Sequence, residues 1–216
     1  MKHIISKSLN DIFSKDVLIF ILKIGLGSIL AWLVILWLTW DSYFTFIASY
    51  IQGIPFIGGW EWFQEAGAFI SALIIAYMLI IISISTLTSM YSQALLKKLA
   101  KKHYPNIGTD ASSSMATSMW LSAKAGLIFL VLFIFTFPLI FIPILGQIWM
   151  LWLWSILIKE PIAYDVGSLF IEKQKIKKSS SIAMTASLFN YVPVLNIFAV
   201  IFAQILFLHH ILGVKN

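Results

Sequence analysis

Twice in the second half of the chain a proline is followed by two apolar residues and then a small or turn-forming one. Phe141 to Gln147 reads FIPILGQ, and Tyr191 to Ile197 reads YVPVLNI. Proline offers no N–H and ends a helix, after which Gly146 or Asn196 supplies the permissive backbone or the side-chain oxygen from which another can start. A helix that starts inside an apolar run aims its unpaired N–H groups and positive dipole end at the break. The chemistry open to such a break is capture of an anion by donors near Gly146 and Gln147 and near Asn196 and Ile197. The plainer reading makes Asn196 an N-cap and Gln147 a side chain that satisfies the tip; both readings require burial. Pro143 and Pro193 have a structural part in either case.

Other residue types that could do chemistry are few. Lys23 and Lys124 lie within or beside apolar runs, where a cation marks a polar pathway or snorkels to the headgroups. Glu61 and Glu65 are four apart, which suits the dipole at a helix start better than a paired-carboxylate site. His209 and His210 end the last apolar run and read as interfacial residues rather than ligands, and Tyr164 and Asp165 read as structural. The chain has no cysteine, which excludes a disulfide framework, a thiolate nucleophile and cysteine-held metal clusters. GxxxxGK[ST], HExxH, GxSxG and GxGxxG are all absent, so no enzyme, no cofactor and no nucleic-acid partner is expected.

The elements that must carry these residues belong to a membrane. Of 216 residues 60% are hydrophobic and 11% charged, with a mean hydropathy of +0.93, against about 25% charged in a soluble domain. The net charge is +6, and every cation other than histidine is a lysine. The pattern predicts an all-α integral membrane protein with one membrane domain, residues 1–216. Residues 1–16 form an amphipathic helix through Ile4, Ile5, Leu9, Ile12 and Phe13, lying on the headgroups or packed on protein. Residues 17–40 make one span of about 36 Å, followed by an outward stretch without lysine. Residues 60–103 make a second, long helix whose projecting end carries Lys97, Lys98, Lys101 and Lys102, which places it and both termini in the cytoplasm. Residues 105–114 are a polar linker. The runs 125–158 and 181–212 each break into arms, and the second arm of the first, about 12 residues, is too short to cross. Two hemi-penetrating hairpins that enter and leave by one face are the resulting expectation.

LIFIPILGQ (Leu139 to Gln147) and SLFNYVPVLNIF (Ser187 to Phe198) resemble motifs of the bacterial sulfate permease family known as CysZ, grouped with the eukaryotic etoposide-induced 2.4 proteins. The order of elements is similar over most of the chain; the motifs match over residues 137–212. The resemblance implies a permease for sulfate or a related oxyanion in a bacterial inner membrane, passive or ion-coupled, working as a homo-oligomer in the lipid bilayer. It puts an anion-binding motif near Lys15, where the family has an arginine and this chain reads Lys15-Asp16-Val17-Leu18-Ile19. Lys15, Lys23, Gly146, Gln147 and Asn196 are therefore the candidate anion-pathway residues. The alternative is a non-transporting scaffold or lipid-interacting protein of the same fold, favoured by the missing arginine.

Overall fold

The computed structural model describes residues 2–53, 66–108, 113–136, 139, 142–171, 176–192 and 195–213. Most of these are helical, with no strand among the described residues. The helices are α1 (Lys2–Ile12), α2 (Lys15–Gln52), α3 (Ala68–His103), α4 (Met115–Thr136), α5 (Leu145–Gly167), α6 (Ser180–Ser187) and α7 (Ala199–Leu212), with 3-10 turns at Leu188–Tyr191 and Leu195–Phe198. Lys15–Tyr50, Ala68–His103, Met115–Thr136 and Leu195–Leu212 are long and apolar enough to cross a membrane, with mean hydropathies of 2.0 to 2.5.

Contacts divide the chain into two compact units, Leu22–Leu87 and the pair of segments Met1–Ile21 and Thr88–Asn216. Within the first, α2 and α3 pack antiparallel. Trp32 Nε1 donates to Ser83 Oγ at 2.8 Å and Tyr43 Oη to the Ala72 carbonyl at 2.6 Å. The two bonds lie eleven residues apart on both helices, close to three turns, so the same faces meet again. Ala68 and Ala72 are fully buried and let the helices approach beside Ile47, as small residues do in helix pairs that lack a hydrophobic drive in lipid.

In the other unit α4 packs on α5, α5 on α6 and α7, and α1 on α7. Its core joins Ile12, Leu96 and Leu99 to Ile201, Phe202 and Leu206, each at most 2% exposed. α7 is buried along nearly its whole length. Of the apolar stripe on α1, Ile4, Ile5 and Ile12 pack into this core while Phe13 stays 70% exposed. Thus α1 is packed on protein, with Ser8 and Asp11 buried beside Ile12.

Several boundaries differ from expectation. α2 runs through Asp41 to Gln52, because there is neither Gly nor Pro between Trp40 and Gly53. The described part of the long helix begins at Ala68; Glu61 and Glu65 lie outside the described residues. The largest correction is to the run 125–158. Its arms are 22 and 23 residues, about 33 and 35 Å, since Lys159, Glu160 and Pro161 do not stop α5, which continues to Gly167. A shortage of length therefore does not make this hairpin half-depth. The run 181–212 breaks where expected, with α6 and a 3-10 turn before the break, but residues 195–212 after it are themselves long and apolar enough to cross.

Candidate functional site

At the first tip the break is made differently from the motif's promise. Ile144 has φ 65° while no described glycine has positive φ. Gly146 is buried in the first turn of α5, so the positive φ falls on a β-branched residue two places earlier, in a tight turn that the Leu145 N–H closes onto the Pro143 carbonyl at 2.7 Å, a strained conformation costing about 1–3 kcal/mol. The reason is local: the helix is already under way at Leu145, leaving the reversal to Pro143 and Ile144. Trp149 Nε1 donates to Thr136 Oγ1 at 2.8 Å, closing the hairpin across the break. Gln147 is exposed rather than buried, as are Pro143 and Ile144.

At the second tip Asn196 is half-buried inside the 3-10 turn Leu195–Phe198, its N–H donating to the Val192 carbonyl at 3.0 Å. The N-cap of α7 is Phe198, which makes no side-chain cap bond. Asn196 thus lies two residues before the capping position of α7. Pro193 lies outside the described residues. The two tips do meet: the Tyr191 hydroxyl donates to the Gln147 carbonyl, and the Tyr191 ring meets Trp154 edge-on at 4.9 Å between centroids. Tyr191 stands inside the second motif and joins the first, a part that its spacing did not reveal.

The lysines fall elsewhere. Lys15 and Lys23 are exposed on α2. Lys124 stands 3.8 Å from Glu160, which Lys178 also pairs at 2.9 Å; the Lys178 bond holds the Glu160 carboxyl below the ordinary range. Asp165, in α5, is pushed up by burial despite a hydrogen bond from Ser118 of α4, so Asp165 ties α5 to α4, while Tyr164 beside it is buried.

A polar cluster that spacing did not reveal lies where α1, α3 and α7 converge. Asp11 and His209 are each 1% exposed. His209 Nε2 is 2.8 Å from Asp11 Oδ2, and His103 Nε2 is 2.9 Å from Oδ1 and 2.8 Å from Oδ2. Tyr104 Oη is 3.1 Å from His209 Nδ1, and Lys7 Nζ lies 3.5 Å from that hydroxyl. Lys102 approaches Asp11 Oδ1 at 3.6 Å. Burial alone would raise the Asp11 pKa, but the bonds and charges of His209 and His103 overcome it and bring it to about 2. Burial and the Asp11 charge push the Tyr104 phenol up. His209 is therefore a core residue rather than an interfacial one. The available signal was Asp11 itself, a carboxylate on the same helical stripe as Ile4, Ser8 and Ile12 and at the C-terminal end of α1, where the dipole disfavours it.

The family model for sulfate transporter CysZ/etoposide-induced protein 2.4 matches residues 4–200. The chain belongs to this family. The match takes in α1 through the start of α7, including both tips and Asp11 and His103. Comparisons with curated proteins and with solved structures returned no match.

Proposed function

We propose that the chain is a permease for sulfate or a related oxyanion in a bacterial inner membrane, passive or ion-coupled, and that it catalyses no reaction. The family match over residues 4–200 carries this reading. The contact from Tyr191 to Gln147 brings the two tips together; the Gly146 and Asn196 N–H groups donate to the Ile142 and Val192 carbonyls, so side-chain donors and the positive helix ends would meet a tetrahedral dianion that only accepts hydrogen bonds. In this reading the pathway residues are Gly146, Gln147 and Asn196, with Lys15 and Lys23 supplying positive potential along α2.

Both tips belong to hairpins that enter from the cytoplasmic face and stop within the bilayer, with both termini in the cytoplasm. Support for half-depth comes from composition: in α5 only residues 145–158 precede Lys159 and Glu160, about 21 Å of uncharged helix. Irregular backbone is not left facing hydrocarbon, and Ile144, Leu145 and Ile148 are 77%, 51% and 60% exposed. Neighbouring copies in a homo-oligomer would cover them.

Sulfate uptake into proteoliposomes holding the purified protein is the test. Saturable uptake, reduced by Asn196→Leu at unchanged folding, is expected. No uptake by the wild type would favour a scaffold or lipid-interacting role, which the lack of any arginine near Lys15 supports.

A further inference from the structure

We propose that Asp11, His103 and His209 bind a divalent first-row transition metal, Zn²⁺ being the probe, and so pin α1 to the ends of α3 and α7. One carboxylate oxygen and one ring nitrogen from each histidine lie within 4.8 Å of one another. Two imidazoles and one carboxylate form a donor set that suits zinc and its neighbours, with a fourth position left open. The ligands come from three elements far apart in sequence, so the metal would act as a cross-link within the fold.

Burial separates this cluster from a chance surface grouping. Asp11 and His209 are 1% exposed, while His103, at 17%, leaves a path of entry. His209 has the support a ligand needs on its far side. With the metal on Nε2, the imidazole proton resides on Nδ1 and is donated to Tyr104 Oη across the 3.1 Å contact. Without metal, Nε2–H donates to Asp11 and Nδ1 accepts from the Tyr104 hydroxyl. The exchange is a change of tautomer at His209 and at His103, whose proton likewise moves from Nε2 to Nδ1, so two neutral imidazoles bind with no redox step.

Two features oppose the ion, and both can yield. The imidazole-to-carboxylate spacings of 2.8 to 2.9 Å must open to about 3.3 Å, the edge of a tetrahedron with bonds of about 2.0–2.1 Å. Lys102 stands 3.6 Å from Asp11, but its side chain is 60% exposed and free to swing into solvent. The Asp11 carboxylate cancels one of the two metal charges.

The test uses the full chain, purified without a histidine tag and stripped with a chelator. Calorimetric titration with Zn²⁺ is expected to show one saturable equivalent and a rise in melting temperature, and Co²⁺ should give the visible absorption of a low-symmetry nitrogen and oxygen site. His103→Gln and His209→Gln should each weaken binding by about 100-fold or more, and Tyr104→Phe by about 10-fold. His3→Gln and His210→Gln should keep the equivalent. The absence of saturable binding by the wild type overturns the proposal, as does full binding by both ligand variants. Should Asp11→Asn or His209→Gln fail to fold, the wild-type Co²⁺ spectrum and the half-buried His103 still decide. Sulfate uptake does not enter, so this proposal and the transport reading fail independently.

Discussion

Asp11 shows what a single buried charge does in a small polar cluster. Its carboxyl is near 2 in the folded chain against an ordinary 3.8, so the unfolded chain takes up the proton first and stability rises with pH between these values. In metal-free protein the contribution, about 2 kcal/mol, is present above pH about 4 and lost as the pH falls toward 2. Thermal melts at pH 5, 4, 3 and 2 should show the wild type losing stability over that window, while Asp11→Asn shows a flatter dependence. Asp11→Ala should cost roughly 3 kcal/mol at neutral pH, since His209 keeps a buried N–H with no acceptor. None of this was legible as a motif, because Asp11, His103 and His209 are separated by 92 and 106 residues. Ile144 teaches the converse lesson. The motif marked a break correctly, but glycine at 146 drew the positive-φ turn two residues from where it occurs. Ile144→Gly should relieve the strained φ and raise stability by about 1 kcal/mol, read as an upward shift in melting temperature.

At the scale of elements, punctuation in the sequence was a good guide where the breaker was unambiguous and a poor one where charge was taken for an end. Pro105 and the second tip stop helices as expected, whereas Gly53 ends α2 twelve residues beyond the expected end at 40, and Ser179 caps α6 through a 3.3 Å bond from the Ile182 N–H. Lys159 and Glu160 do not stop α5, since Glu160 is paired with Lys178 and Lys124 and a helix needs only its backbone bonds to continue. Pro161 lacks an N–H, yet α5 carries it inside, buried against the core that α6 and α7 share. The contact between the hairpins was invisible for a different reason: a tyrosine donating to a backbone carbonyl leaves no trace in the acceptor's residue type. Tyr191→Phe keeps the ring on Trp154 and removes the bond to Gln147. It should cost about 1 kcal/mol and, on the transport reading, lower uptake while melting changes little. Uptake at the wild-type rate would show that the tips need not be tied.

For the whole molecule the open contest is between depth and crossing, and length no longer decides it. α4 and α5 could both cross by length, whereas composition allows α5 only residues 145–158 before charge intervenes. A carboxylate and a lysine held together, as Glu160 is by Lys178, lose less on leaving water than either alone, so a deeper seat for α5 is not forbidden by charge. The tip separates the cases. Because the chain has no cysteine, single cysteines at Gln52, Pro105, Pro143 and Lys177 can be probed with a thiol reagent that does not cross the membrane. On the proposed topology residue 52 reacts from outside intact cells, while 105 and 177 react only after the inner face is opened. Residue 143 is the discriminating one. A half-depth hairpin holds it within the bilayer, slow to react from either side, whereas a crossing hairpin brings it into outer solvent to react as fast as 52. Fast labelling at 143 would replace two half-depth hairpins by at least one full pair of spans. It would also move the Gln147 and Tyr191 junction to the outer mouth of any pathway, where its helix starts would meet the anion on entry instead of midway.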